Sequence, residues 1–174
     1  MAEEKDDTPP EDSSTPEDDF EQSGDHADVK ILPPFLTLGI LALAVILELI
    51  AGESFLRWGA QLVLGMIGLS FGSGLMTWCI MRFINAGTAL HPHQPSTNLV
   101  TDGPYGLSRN PIYVAYISLY LGVVLIFDIV WGLPLVIPLI YAFNRFVIDE
   151  EETYLTRRFG HKYEEYKASV RRWF

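Results

Sequence analysis

A chain of 174 residues with 49% hydrophobic residues and a formal charge of −10 divides near residue 28 into two unlike polymers. Residues 1–28 hold twelve of the 22 Asp and Glu against Lys5 alone, while the remainder is nearly neutral. The low isoelectric point thus belongs to the tail, and neither a wholly acidic protein nor one with a nucleic-acid-binding basic face fits the composition. A single cysteine, Cys79, forbids an internal disulfide framework and a cysteine-based zinc cage.

The tail has no apolar periodicity and is rich in Pro, Ser, Thr, Asp and Glu, so residues 1–28 are expected to be disordered. Its opening Met-Ala-Glu-Glu-Lys-Asp-Asp lacks the basic stretch that starts a secretory signal. Residues 29–174 form the expected folded domain. Ile31–Ala51 carries one ionisable group, Glu48, and is long enough to cross a bilayer, which takes about 20 apolar residues. A polar turn with Glu53, Arg57 and Gly59 leads to a second predicted span, Ala60–Ile84. Within it Gly65, Gly68 and Gly72 fall on one helix face, a spacing suited to close helix packing inside the monomer, with a dimer seam as the alternative. Ile112–Phe127 and Ile129–Ile148 read as a tight helical hairpin turning over 127–134, its returning arm bent by Pro134 and Pro138. The fold expected is an all-α, multi-pass transmembrane bundle of about four spans with a C-terminal amphipathic helix. Eleven of the twelve cations fall on the side that holds both termini and only Arg57 on the other, which predicts cytoplasmic termini.

Two segments stand apart from tail and spans. The connection 85–111 is long, and its Pro and Gly residues fix turns, so it is expected to be an ordered loop against the helix ends. It contains His91 and His93, whose His-x-His pair lacks a third metal ligand nearby and reads as part of the loop. After the fourth span, Asp149–Glu152 fill the first turn of a helix that ends in Arg157, Arg158 and Gly160, a charge order that suits the helix dipole. A short helix at 162–170 follows. Leu155, Phe159, Tyr163, Tyr166 and Val170 make an apolar stripe that should lie on the bundle or the bilayer surface.

Gly-Pro-Tyr-x-x-Ser-Arg-Asn-Pro-x-Tyr (103–113) and, about forty residues on, Glu-Glu-x-x-Leu-x-x-x-Phe-Gly-x-x-Tyr-x-x-Tyr (151–166) together resemble the isoprenylcysteine carboxyl methyltransferase family and the related phospholipid N-methyltransferases. The likeness covers roughly residues 85–174. It implies a membrane enzyme that uses S-adenosyl-L-methionine. Donor contacts would come from Thr97, Asn98, Leu99, Val100, Tyr105, Asn110, Pro111, Ile112, Tyr113, Glu151 and Glu152. Arg109, Asn110 and Glu151 would be the catalytic residues, with no metal. The chemistry suits these residue types: a methylsulfonium asks for aromatic or carboxylate groups near its cation and for walls that exclude water. In-line transfer then depends on positioning rather than on a protein nucleophile. The chain departs from the family in having Asn110 where many members have His, and Val147 where the isoprenylcysteine enzymes have Arg; Arg145, two residues away, faces elsewhere on a helix.

The resemblance implies a lipophilic or lipid-linked acceptor drawn from the membrane; the composition predicts no nucleic-acid partner, and the short four-span form suggests a bacterial inner membrane. Two alternatives stand beside it. One is an NADPH-dependent membrane sterol or enone reductase, which shares a similar C-terminal hairpin. The other is a non-enzymatic scaffold that recruits a partner through the acidic tail. Taken alone, Asp149–Glu152 could be a solvated helix start, Arg109 an interfacial anchor, Glu48 a snorkelling or internally paired carboxylate, and Cys79 a buried small apolar residue.

Overall fold

The computed structural model describes residues 31–52, 59–87 and 98–173. The acidic tail and Glu53, Arg57, His91, His93 and Thr97 lie outside them. The described residues form helices α1 (Pro33–Ala51), α2 (Gly59–Ala86), α3 (Pro111–Ile126), α4 (Gly132–Phe143), α5 (Asp149–Phe159) and α6 (His161–Ser169), with a 3₁₀ turn at Gly103–Gly106 and a π turn at Asn144–Ile148. No strand occurs among them. Prolines begin two of the helices. Pro33 and Pro34 start α1 and Pro111 starts α3, positions whose N–H would have no helical partner anyway.

Three helices are long and apolar enough to cross a membrane: α1, α2 and the unbroken run Gly132–Phe159. The 16-residue α3 is shorter but equally apolar. It lies along α2, where Gly65, Gly68 and Gly72 face Gly122, Ser118 and Ala115. The glycine spacing thus serves packing within the monomer, as the sequence led us to expect. Tyr113, Tyr120, Val124, Leu139, Phe143, Val147, Ile148 and Tyr154 form the larger buried core, filling the space between α3 and the returning helix.

The hairpin turns within the expected 127–134: its returning helix starts at Gly132, Asp128 adopts φ 54° and the Ile129 N–H donates to the Val124 carbonyl at 2.9 Å. Two details differ from the sequence reading. Pro134 sits in the first turn of α4, where a missing N–H costs nothing, and only Pro138 lies inside the helix. The fourth span does not end before the acidic helix either. It continues into α5 through the π turn, whose extra residue frees backbone groups; the Asn144 amide donates to the Ile140 carbonyl at 3.0 Å. Arg145 is exposed on this turn while Val147 is buried, so Arg145 does not take the position that Val147 occupies.

At the hairpin end of the bundle Glu48 accepts the Trp131 backbone N–H at 3.3 Å, the internal partner that its place in an apolar helix requires. Cys79 is fully buried beside Val100 and Tyr105.

Candidate functional site

At the opposite end four elements converge. The 98–110 loop is tied to the end of α2 by the Asn98 amide, which donates to the Ala86 carbonyl at 2.7 Å, and by the ion pair Arg82–Asp102. Gly103 turns the chain at φ 61°, a left-handed conformation that glycine adopts without strain. The 3₁₀ turn then buries Tyr105. Gly160, at φ 52°, breaks the chain between α5 and α6 and folds α6 back, so that Tyr166 donates to the Tyr105 carbonyl at 2.7 Å. Part of the predicted amphipathic stripe, Tyr163 and Tyr166, is therefore buried against the loop.

These elements enclose a cavity of about 260 Å³. Its lining is tyrosine-rich (Tyr105, Tyr113, Tyr116, Tyr163 and Tyr166) and carries Arg109, Glu151 and Glu152. It also includes Leu32 and Pro33 at the start of α1, and Met76, ten residues before the end of α2, so the cavity reaches from the polar loop in among the apolar helices.

Glu151 lies near the start of α5, with the Glu152 charge beside it, and its Oε1 accepts the Tyr113 hydroxyl at 2.7 Å. Desolvation pushes the loop and α6 phenols, Tyr105, Tyr163 and Tyr166, up, so they stay neutral. Glu152 is fully engaged. It faces Arg109 at 3.3 Å and takes a two-pronged contact from Arg172, Nη2 at 2.7 Å and Nε at 3.2 Å. The Nε–H of Arg109 is buried, with no hydrogen-bond partner among the described residues, an expensive state for a charged donor unless a ligand supplies the acceptor.

Ten of the residues expected at the site line this one cavity: Asn98, Leu99, Val100, Tyr105, Arg109, Asn110, Ile112, Tyr113, Glu151 and Glu152. Pro111 does not line it, because its ring starts α3 instead. Thr97 lies outside the described residues. Asn110 borders the cavity, but its amide is committed to the Arg172 carbonyl at 3.1 Å, so it fastens the loop.

Sequence reasoning missed three contributions: the α1 start at Leu32–Pro34, buried Ser108, and the 171–173 strap. The two prolines before an apolar run marked a helix start but nothing about a cavity. Ser108 donates to the Arg172 carbonyl at 3.1 Å and accepts the Asn110 N–H at 3.1 Å, while the Arg109 N–H donates to the Arg171 carbonyl at 2.9 Å. Ser108→Ala removes a buried hydroxyl from both bonds and is expected to lower stability by about 1–3 kcal/mol, read as a lower melting temperature in detergent. An unchanged melting temperature would mean that the strap is not held this way.

Apolar membrane-length helices enclosing a polar-headed cavity define a membrane protein with a cavity at one end of its bundle. The phospholipid methyltransferase family model matches residues 60–162, more than half of the chain, and the chain belongs to that family. It is a membrane protein of a methyltransferase family, as the paired motifs led us to expect. A stretch of 38 residues is 53% identical to an uncharacterized protein of Haemophilus influenzae, covering 22% of this chain and 60% of that one. No solved structure matches the chain significantly.

Proposed function

We propose that the protein is an S-adenosyl-L-methionine-dependent methyltransferase whose acceptor is a lipophilic molecule reaching the cavity from the bilayer. The observation that carries this reading is the juxtaposition, in one cavity walled by tyrosines, of an Arg109 Nε–H without a hydrogen-bond partner and a Glu151 carboxyl without a cationic partner among the described residues. These groups fit the donor. Arg109 suits its carboxylate, and Glu151 and the tyrosine faces suit its cationic end. S-adenosyl-L-methionine supplies an electrophilic methyl when bound.

The chain's own groups do the rest. The tyrosine walls exclude water, the fastened 108–110 loop fixes Arg109, and the Glu151 carboxylate can take a proton released by an acceptor. Leu32, Pro33 and Met76 offer an apolar lining for the acceptor's hydrophobic part. The positive-inside asymmetry supports a cytoplasmic site with both termini on that side.

Titration calorimetry of the full chain in detergent tests this reading. S-adenosylhomocysteine is expected to bind and NADPH neither to bind nor to compete. No binding of S-adenosylhomocysteine would overturn it. Lipid mass spectrometry of cells with and without the protein, searching for species that differ by one CH₂, would then identify the acceptor.

A further inference from the structure

The most heavily bonded residue at the site belongs to neither sequence motif. Arg172 lies past the end of α6, yet it reaches Glu152 through two nitrogens and Asp149 through Nη1 at 3.0 Å. Its carbonyl accepts from both Ser108 and Asn110. The next residue, Trp173, donates its indole N–H to Asn144 Oδ1 at 3.3 Å and so ties the same strap to the π turn. Three residues thus join the loop that carries Arg109, the acidic start of α5 and the helix defect between α4 and α5.

We propose that Arg172 is a positioning residue of the donor site: by neutralising Glu152 and Asp149 it leaves Glu151 as the cavity carboxylate without a cationic partner and keeps Arg109 directed at the ligand. The proposal rests on the donor-site reading above. Its logic is charge accounting in a poorly solvated space. Glu152 sits between two guanidiniums, Arg109 and Arg172, both its side chain and that of Arg109 being only 13% and 12% exposed. Were Arg172 absent, Glu152 would draw wholly on Arg109, the one cation among the described residues that lines the cavity and could meet a ligand carboxylate. The freed negative field of Glu152 would also act on Glu151.

The groups facing Glu151 are few. Tyr113 approaches from α3, Tyr105 from the loop and Tyr163 from α6, all neutral, with Glu152 beside it and Arg109 across the cavity. Glu152 is therefore the neighbour whose net charge Arg172 controls. Arg, rather than Lys, suits the position because a planar fork can engage both Glu152 oxygens while its remaining nitrogen reaches Asp149.

The test uses the full chain in detergent, as wild type and as Arg172→Gln, Arg172→Lys and Arg157→Gln. Arg157 is exposed on α5 and controls for loss of one positive charge. Two quantities are read: the titration midpoint of Glu151 in the ligand-free protein, by carbon NMR of labelled glutamate assigned through Glu151→Gln, and the affinities for S-adenosylmethionine and S-adenosylhomocysteine. Arg172→Gln is expected to raise the Glu151 midpoint by about half to one pH unit and to weaken binding of both nucleosides by about tenfold. Arg172→Lys should give a smaller shift in the same direction, and Arg157→Gln none. An unmoved Glu151 midpoint in Arg172→Gln, with wild-type binding intact, overturns the proposal; if that variant does not fold, an unmoved midpoint in Arg172→Lys does so. Failure of the wild type to bind either nucleoside while the midpoint still moves sinks the donor-site reading and leaves the charge-balancing role standing.

Discussion

Glu151→Gln is expected to lower affinity for S-adenosylmethionine by about ten- to a hundredfold, the loss of one charge-assisted contact of ~1.5–3 kcal/mol, while affinity for uncharged-sulfur S-adenosylhomocysteine changes only a few fold. The difference follows from charge, since the methylated nucleoside carries a sulfonium and the product does not. Calorimetric titration of wild type and Glu151→Gln with each nucleoside measures it. Equal affinities of wild type and variant for the sulfonium would show that Glu151 does not face it.

Much of this arrangement was legible in the chain because it rests on short-range signals. Unbroken apolar runs fixed the helices, and a three- and four-residue glycine spacing fixed the α2–α3 seam. The two polar motifs, 38 residues apart at Tyr113 and Glu151, could meet only if the intervening segment made a hairpin, and it does. What the chain concealed depends on tertiary contact or on a local break in period. A π turn at Asn144–Ile148 adds a residue to one turn and rotates everything after it, which a 3.6-residue reading cannot register. The Arg172 strap pairs with residues more than sixty positions away, through backbone carbonyls that any residue type carries. Likewise Leu32 and Pro33 line the cavity because α1 packs against α3 and α4, and nothing in their own neighbourhood encodes that partner.

Gly122→Leu is expected to have the largest effect on the fold. A Cβ at Gly122 would stand 2.8 Å from the Leu69 backbone nitrogen and from its Cγ, and backbone atoms cannot move aside as a side-chain tip can. Across the seam, Gly68 is also close but less so, its Cβ position lying 3.3 Å from the Gly122 Cα. Even Gly122→Ala should cost about 1–3 kcal/mol through overpacking, and the leucine variant should force the helices apart. Gly74→Ala is the control: nothing lies within 4 Å of its Cβ position, and helix propensity favours alanine by about 0.5–1 kcal/mol. The consequence reaches the site through two attachments. Arg82, near the end of α2, holds Asp102 of the loop, while Tyr113, at the start of α3, holds Glu151. Spreading α2 from α3 pulls the loop, with Tyr105 and Arg109, away from the carboxylate it must face. Gly122→Ala should therefore lose nucleoside affinity while remaining helical by circular dichroism, and Gly74→Ala should bind as the wild type does. Full affinity in a Gly122→Ala protein of lowered melting temperature would show that the seam supports the fold without setting the geometry of the cavity.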